Sequence, residues 1–137
     1  MTSRLLPMAL VALGGLIAVW VAPVTAHHSF AAEFDANKPI TVKGVVTQID
    51  WTNPHVWFYI NVKDEDGKTV RWAWEMGAPH QLQQRGWLRE TMKVGDVVTV
   101  AGSLARDGSN RANARNVTTA DGKTLGAASS GDPTTRQ

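Results

Sequence analysis

The chain contains no cysteine in 137 residues. This excludes disulfides, thiolate metal sites and a cysteine nucleophile, and it excludes lipid attachment at an N-terminal junction. A block of one charge is missing too. Lys and Arg total 14 against 12 Asp and Glu, and the two signs are mixed along the chain. Without a basic block there is no footprint for strong phosphate binding, so no nucleic-acid partner is expected. Long apolar runs are confined to Leu5–Val21. The motifs G-x-S-x-G, P-loop and H-E-x-x-H do not occur, and Asp64-Glu65-Asp66 lacks the spaced ligands of a calcium loop. Glu33, Asp35, Asp50 and Glu75 are scattered carboxylates with no visible pairing. Nothing in these residues specifies a reaction, so an enzyme is the least supported class.

What is present begins with a leader. Arg4, the apolar run and the small residues of Val24-Thr25-Ala26 have the order of a secretory signal peptide, residues 1–26. Pro7 and Gly14-Gly15 weaken the run as a membrane-spanning helix. Cleavage after Ala26 leaves 111 residues, enough for one domain, with no membrane anchor and a mature chain starting His27-His28. A disulfide-free exported domain of this size fits a bacterial periplasm and is expected to be a monomer.

The rest reads as β structure. Residues 27–38 form an arm carrying Phe30 and Phe34. Alternation places strands at Thr41–Trp51, His55–Lys63, Thr69–Met76, Val97–Leu104 and Ala112–Thr119. Gly44 suggests a bulge or sharp bend in the first. Val56, Phe58, Ile60 and Val62 share the inner face of the second, and Trp57 and Tyr59 share the outer face. On the third, Trp72 and Trp74 point inward while Arg71, Ala73 and Glu75 point outward. Pro79 starts a short helix over His80–Arg85 and Gly86 stops it. The order β-β-β-α-β-β predicts an all-β fold, a five-stranded OB-like barrel over residues 39–125, with the fifth strand pairing back to the first. Residues 126–137 are small and polar and read as a disordered tail.

The segments His27-His28-Ser29-Phe30-Ala31-Ala32-Glu33-Phe34-Asp35, Lys43-Gly44-Val45-Val46, Trp51-Thr52-Asn53-Pro54-His55, Gly86-Trp87, Gly95-Asp96 and Asp107-Gly108-Ser109 together resemble a family of small exported bacterial proteins of unknown function. The resemblance runs from about His27 to Leu125. It implies a periplasmic setting and supplies no activity.

Three groups of residues could carry chemistry. The mature α-amino group beside the imidazoles of His27 and His28 would chelate Cu(II) or Zn(II), given one more ligand from the body; alternatively, histidine is merely tolerated beside the cleavage site. In an OB barrel the loop between strands one and two borders that between strands four and five, so Trp51, Asn53, His55, Arg106, Asp107 and Arg111 could converge on a ligand. Taken singly, Asn53-Pro54 is ordinary turn chemistry. Trp57 and Tyr59 could stack a ligand on the outer face, or the arm could cover them. The sequence therefore favours a periplasmic, non-enzymatic binding or accessory module, acting on a small ligand or a periplasmic protein. The alternative is a copper-type metal-binding protein using His27 and His28.

Overall fold

β1 (Phe34–Asp50) is the long strand around which the barrel closes in this computed structural model, which describes residues 30–133. Its first half pairs antiparallel with β4 (Val97–Ala105), from Phe34 opposite Ala105 to Val45 opposite Val97. Its second half pairs antiparallel with β2 (Trp57–Lys63). A strand of 17 residues that changes partner midway must bend, and its register shifts between Val46 and Gln48 against β2 and between Phe34 and Pro39 against β4. Gly44 is thus not the bulge. Its hydrogen is needed because a Cβ there would lie 2.6 Å from the carbonyl oxygen of Asn61.

β2 and β3 (Thr69–Glu75) form a hairpin through Asp64–Gly67. β4 runs antiparallel to β5 (Arg111–Thr118), and a short β6 (Thr124–Gly126) extends the sheet beyond β5. Closure comes from a parallel pairing of β3 with β5, with Ala73 opposite Arg111 and Glu75 opposite Asn113. The expected return of the fifth strand to the first is therefore corrected. β1 already has β2 on one side and β4 on the other, so both of its hydrogen-bonding edges are occupied. The closed order β1-β2-β3-β5-β4 is that of an OB-fold-like barrel.

The interior follows the alternation. Val56, Phe58, Ile60 and Trp74 are buried, joined by Val46, Val98, Val100, Ala112, Ala114 and Val117. A helix at Pro79–Gln84 begins with proline and contributes Leu82 to this core. Gly86 takes φ +90° to reverse the chain, which lets Trp87 enter the core and donate its indole N–H to Gly126 O at 2.8 Å.

The chain ends are more ordered than composition suggests. Phe30–Glu33 forms one helical turn, α1, leading directly into β1, so this part of the arm already belongs to the domain. Past Gly126, Ala127, Ala128, Ser129 and Asp132 are buried. The disordered tail expected from residue 126 does not hold there, because small side chains can lie flat against the barrel wall where larger ones would not fit. Phe30 sits against Gly131, where an added Cβ would come within 2.7 Å of the Phe30 Cβ. Segments from both chain ends therefore meet over the β3–β5 seam.

Candidate functional site at the seam

Period-two geometry puts Trp57, Glu75 and Asn113 in one row on the outside of the barrel. On an uncovered sheet all three would face water. Here the terminal segments cover them, and Glu75 is only 6% exposed and Asn113 fully buried. A buried carboxylate must be paired. Glu75 Oε1 receives His55 Nδ1 at 3.1 Å and Asn113 Nδ2 at 3.2 Å. Asn113 Nδ2 also donates to Ser129 Oγ at 2.9 Å. The result is a polar chain, His55–Glu75–Asn113–Ser129, that links the loop before β2 to the C-terminal segment.

Next to it lies a second set of pairs. Arg111 Nη2 bonds Glu33 Oε2 at 2.9 Å, and its guanidinium carbon lies 5.9 Å from the Trp57 ring centroid. Arg106 donates from Nε to Ala31 O at 2.8 Å and from its backbone N–H to Glu33 O at 2.8 Å, and its Nη1 is 3.5 Å from Asp35 Oδ2. These two arginines strap α1 to the barrel. Phe30, Phe34 and Ala105 form a small apolar cluster beneath it, with Trp57 packed against them. The arm thus covers Trp57. Tyr59 stays half-buried, with Arg71 stacked 4.4 Å from its ring centroid.

Glu75 holds the His55 pKa above its ordinary value of 6.5, first through the hydrogen bond and then through its charge, with Glu33 adding a further charge effect against the opposing cost of burial. The Nδ1 bond leaves Nε2 as the remaining ring nitrogen, and the side chain is 20% exposed. Asn113 Oδ1 and Arg111 Nε are buried without a hydrogen-bond partner among the described residues.

Of the residues singled out in the sequence, His55, Arg106 and Arg111 come together at this end of the barrel. Trp51 does not join them. It packs on the core beside Ile49, Trp87, Leu88 and Met92, with Arg89 6.0 Å from its ring centroid. Asn53 is exposed and precedes a cis Pro54. Asp107 binds its own turn, accepting from Ser109 N at 2.9 Å and Ser109 Oγ at 2.6 Å, and these bonds lower its pKa. His27 and His28 lie outside the described residues. Among the described residues no three or more His, Cys, Asp or Glu form a metal-holding group, and no helix is long and apolar enough to cross a membrane. Sequence reading missed the pairing of Glu33, Asp35 and Glu75. The one available signal was that Glu75 falls on the outer face two residues from Ala73, in step with Trp57 across the hairpin.

Fold and site together define an OB-type β-barrel with a covered polar cluster at its seam. The chain belongs to a family of unknown function (DUF6152), whose model matches residues 15–114. No curated protein matches it. Among solved structures it is similar to the mitochondrial single-stranded DNA-binding protein Rim1 of S. cerevisiae, at 13% identity and TM-score 0.48, over 60% of this chain and 92% of that one. The exclusion of nucleic acid drawn from the charge pattern is corrected by this neighbour, a DNA-binding protein of related shape, and is withdrawn.

Proposed function

We propose that this chain is an exported, periplasmic binding or accessory module, not an enzyme, whose ligand edge is the seam end of the barrel around His55, Arg106 and Arg111. One observation carries the reading: the loop before β2 brings His55 to Glu75 and the start of β5 brings Arg111 to Glu33, whose charge also acts on His55. Buried polar atoms with unused capacity, Asn113 Oδ1 and Arg111 Nε, support it, since such atoms are ordinarily satisfied by water or a ligand. The groups suited to acid–base work are already engaged in holding the two chain ends, which favours recognition over turnover. Export is supported by the leader-like order of residues 1–26.

The test is protein-observed NMR with a panel of small carboxylates, sugars and amino acids. Shift changes clustered on His55, Trp57, Glu75, Arg106 and Arg111 are expected. Changes clustered at the opposite end, around the Asp64–Gly67 turn, would move the ligand edge away from the seam.

A further inference from the structure

α1 is a single helical turn, too short to be stable by itself. It stays on the barrel through what its side chains give to other elements. Phe30 and Glu33 are three residues apart and so lie on one side of the turn. Phe30 enters the apolar cluster of Phe34 and Ala105, on which Trp57 packs, and its ring centroid is 5.7 Å from that of Phe34. Glu33 Oε2 accepts from Arg111 Nη2 at 2.9 Å. Ala31 and Ala32, between them, are exposed. α1 thus offers the barrel an aromatic ring and a carboxylate at a fixed spacing.

The carboxylate end is an incomplete fit. A guanidinium binds a carboxylate best through two parallel N–H bonds. Arg111 gives Nη2 to Glu33, while its Nε is buried without a hydrogen-bond partner among the described residues. A buried donor left unmade is costly, and a carboxylate free to orient itself regains that bond. The barrel keeps its own half of the arrangement when α1 lifts. Phe34, Trp57 and Ala105 belong to β1, β2 and β4, and the Arg111 guanidinium carbon lies 5.9 Å from the Trp57 ring centroid. An apolar shelf therefore stands beside a cation, and α1 covers both.

We propose that α1 is a built-in occupant of the seam site, and that the ligand replacing it is an organic carboxylate carrying an apolar ring. The assignment names the ligand class of the seam end and rests on the reading of that end as the ligand edge. The incoming carboxylate takes Arg111 through Nε and Nη2. Its ring takes the place of Phe30 beside Phe34 and Trp57, and α1 is released. The exchange swaps one carboxylate for another, so the negative charge that Glu33 sets beside His55 is replaced. Apparent affinity is reduced by the fraction of molecules in which α1 is lifted, so whatever loosens α1 tightens the ligand.

The experiment uses the full chain and 3-phenylpropanoate as probe, with 3-phenylpropan-1-ol as the analogue lacking the anion. Affinity is read by chemical-shift titration, and α1 by hydrogen exchange at the amides of residues 30–33. Saturating 3-phenylpropanoate should shift Trp57 and Arg111 in the wild type and speed exchange in α1. Glu33→Gln removes the competing charge and should tighten binding about threefold to fivefold, the span of a partly exposed ion pair. Gly131→Ala alters no charge; its Cβ would meet that of Phe30 at 2.7 Å, so it unseats α1 and should tighten binding in the same direction. Arg111→Lys keeps the charge but loses the fork, and should weaken binding about tenfold, the scale of one charge-assisted hydrogen bond. Circular dichroism verifies each fold. Affinity unchanged in both Glu33→Gln and Gly131→Ala, the alcohol binding as tightly as the acid, or no binding of 3-phenylpropanoate would each overturn the proposal. Seam shifts from other small ligands while α1 stays protected would also overturn it and leave the ligand edge standing, so the two readings fail separately.

Discussion

His55 and Glu75 show how one pair can make a small domain respond to pH. The folded-state pKa of His55 is raised, mainly by its hydrogen bond to Glu75. A raised imidazole contributes stability that is fully present below its unfolded value near 6.5 and is lost as pH rises through the folded value. The protein should therefore grow less stable as pH rises from about 6 toward 8. Urea unfolding across that range should show the slope in the wild type and a flatter profile in His55→Asn. Phe58 tests a simpler contribution. It is fully buried in the same core cluster as Val46, Ile60 and Trp74, the last ring stacked 6.4 Å away between centroids. Phe58→Ala should cost about 3–5 kcal/mol in chemical denaturation, and a loss below about 1 kcal/mol would contradict its place in the core. Both residues sit on the faces their alternation implies. The burial of Glu75 was not legible, because the residues that cover it, Phe30–Glu33 and 127–132, are far from it in sequence and carry no apolar pattern of their own.

Elements were readable where periodicity is strong and ambiguous where contacts are between distant parts of the chain. β2 shows both faces in seven residues, and Pro79 and Gly86 bracket the helix. Strand closure and the extra strand β6 depend on edges that only the assembled sheet defines. Gly44 illustrates the difference: an irregular position was evident, while its cause is the approach of Asn61 from the neighbouring strand. Gly44→Ala should therefore cost about 1–3 kcal/mol, the range for overfilling a packed position, even though alanine suits a strand's backbone angles. The C-terminal segment gives a second test. Ending the chain after Gly126 removes Ser129 from Asn113 and Asp132 from its pair with Arg115. Each kcal/mol lost should lower Tm by about 4–8 °C in a domain this small, so a calorimetric scan should show a clear decrease. An unchanged Tm would mean that the segment lies on the barrel without supporting it.

At the scale of the whole molecule, the OB-like barrel follows from the strand and helix order and is borne out by the closed sheet. The seam cluster was half legible: His55, Arg106 and Arg111 were accessible through loop adjacency, and their acidic partners were not. The proposed leader makes its own prediction. Intact-mass measurement of exported protein should find a chain beginning at His27, lacking residues 1–26. A mass that retains them would mean that the apolar run stays attached.

The meeting of Phe30 with Gly131 also bears on the order in which the chain can fold. β1 must find β4 more than fifty residues later, and α1 must wait for residues still further on. A topology so rich in distant pairings is slow to form relative to local helical folds. Residues 127–132 are among those that shield Glu75 and Asn113, so the seam closes only once they are in place. Two segments nearly a hundred residues apart close one seam, so the seam is among the last parts of the barrel to form.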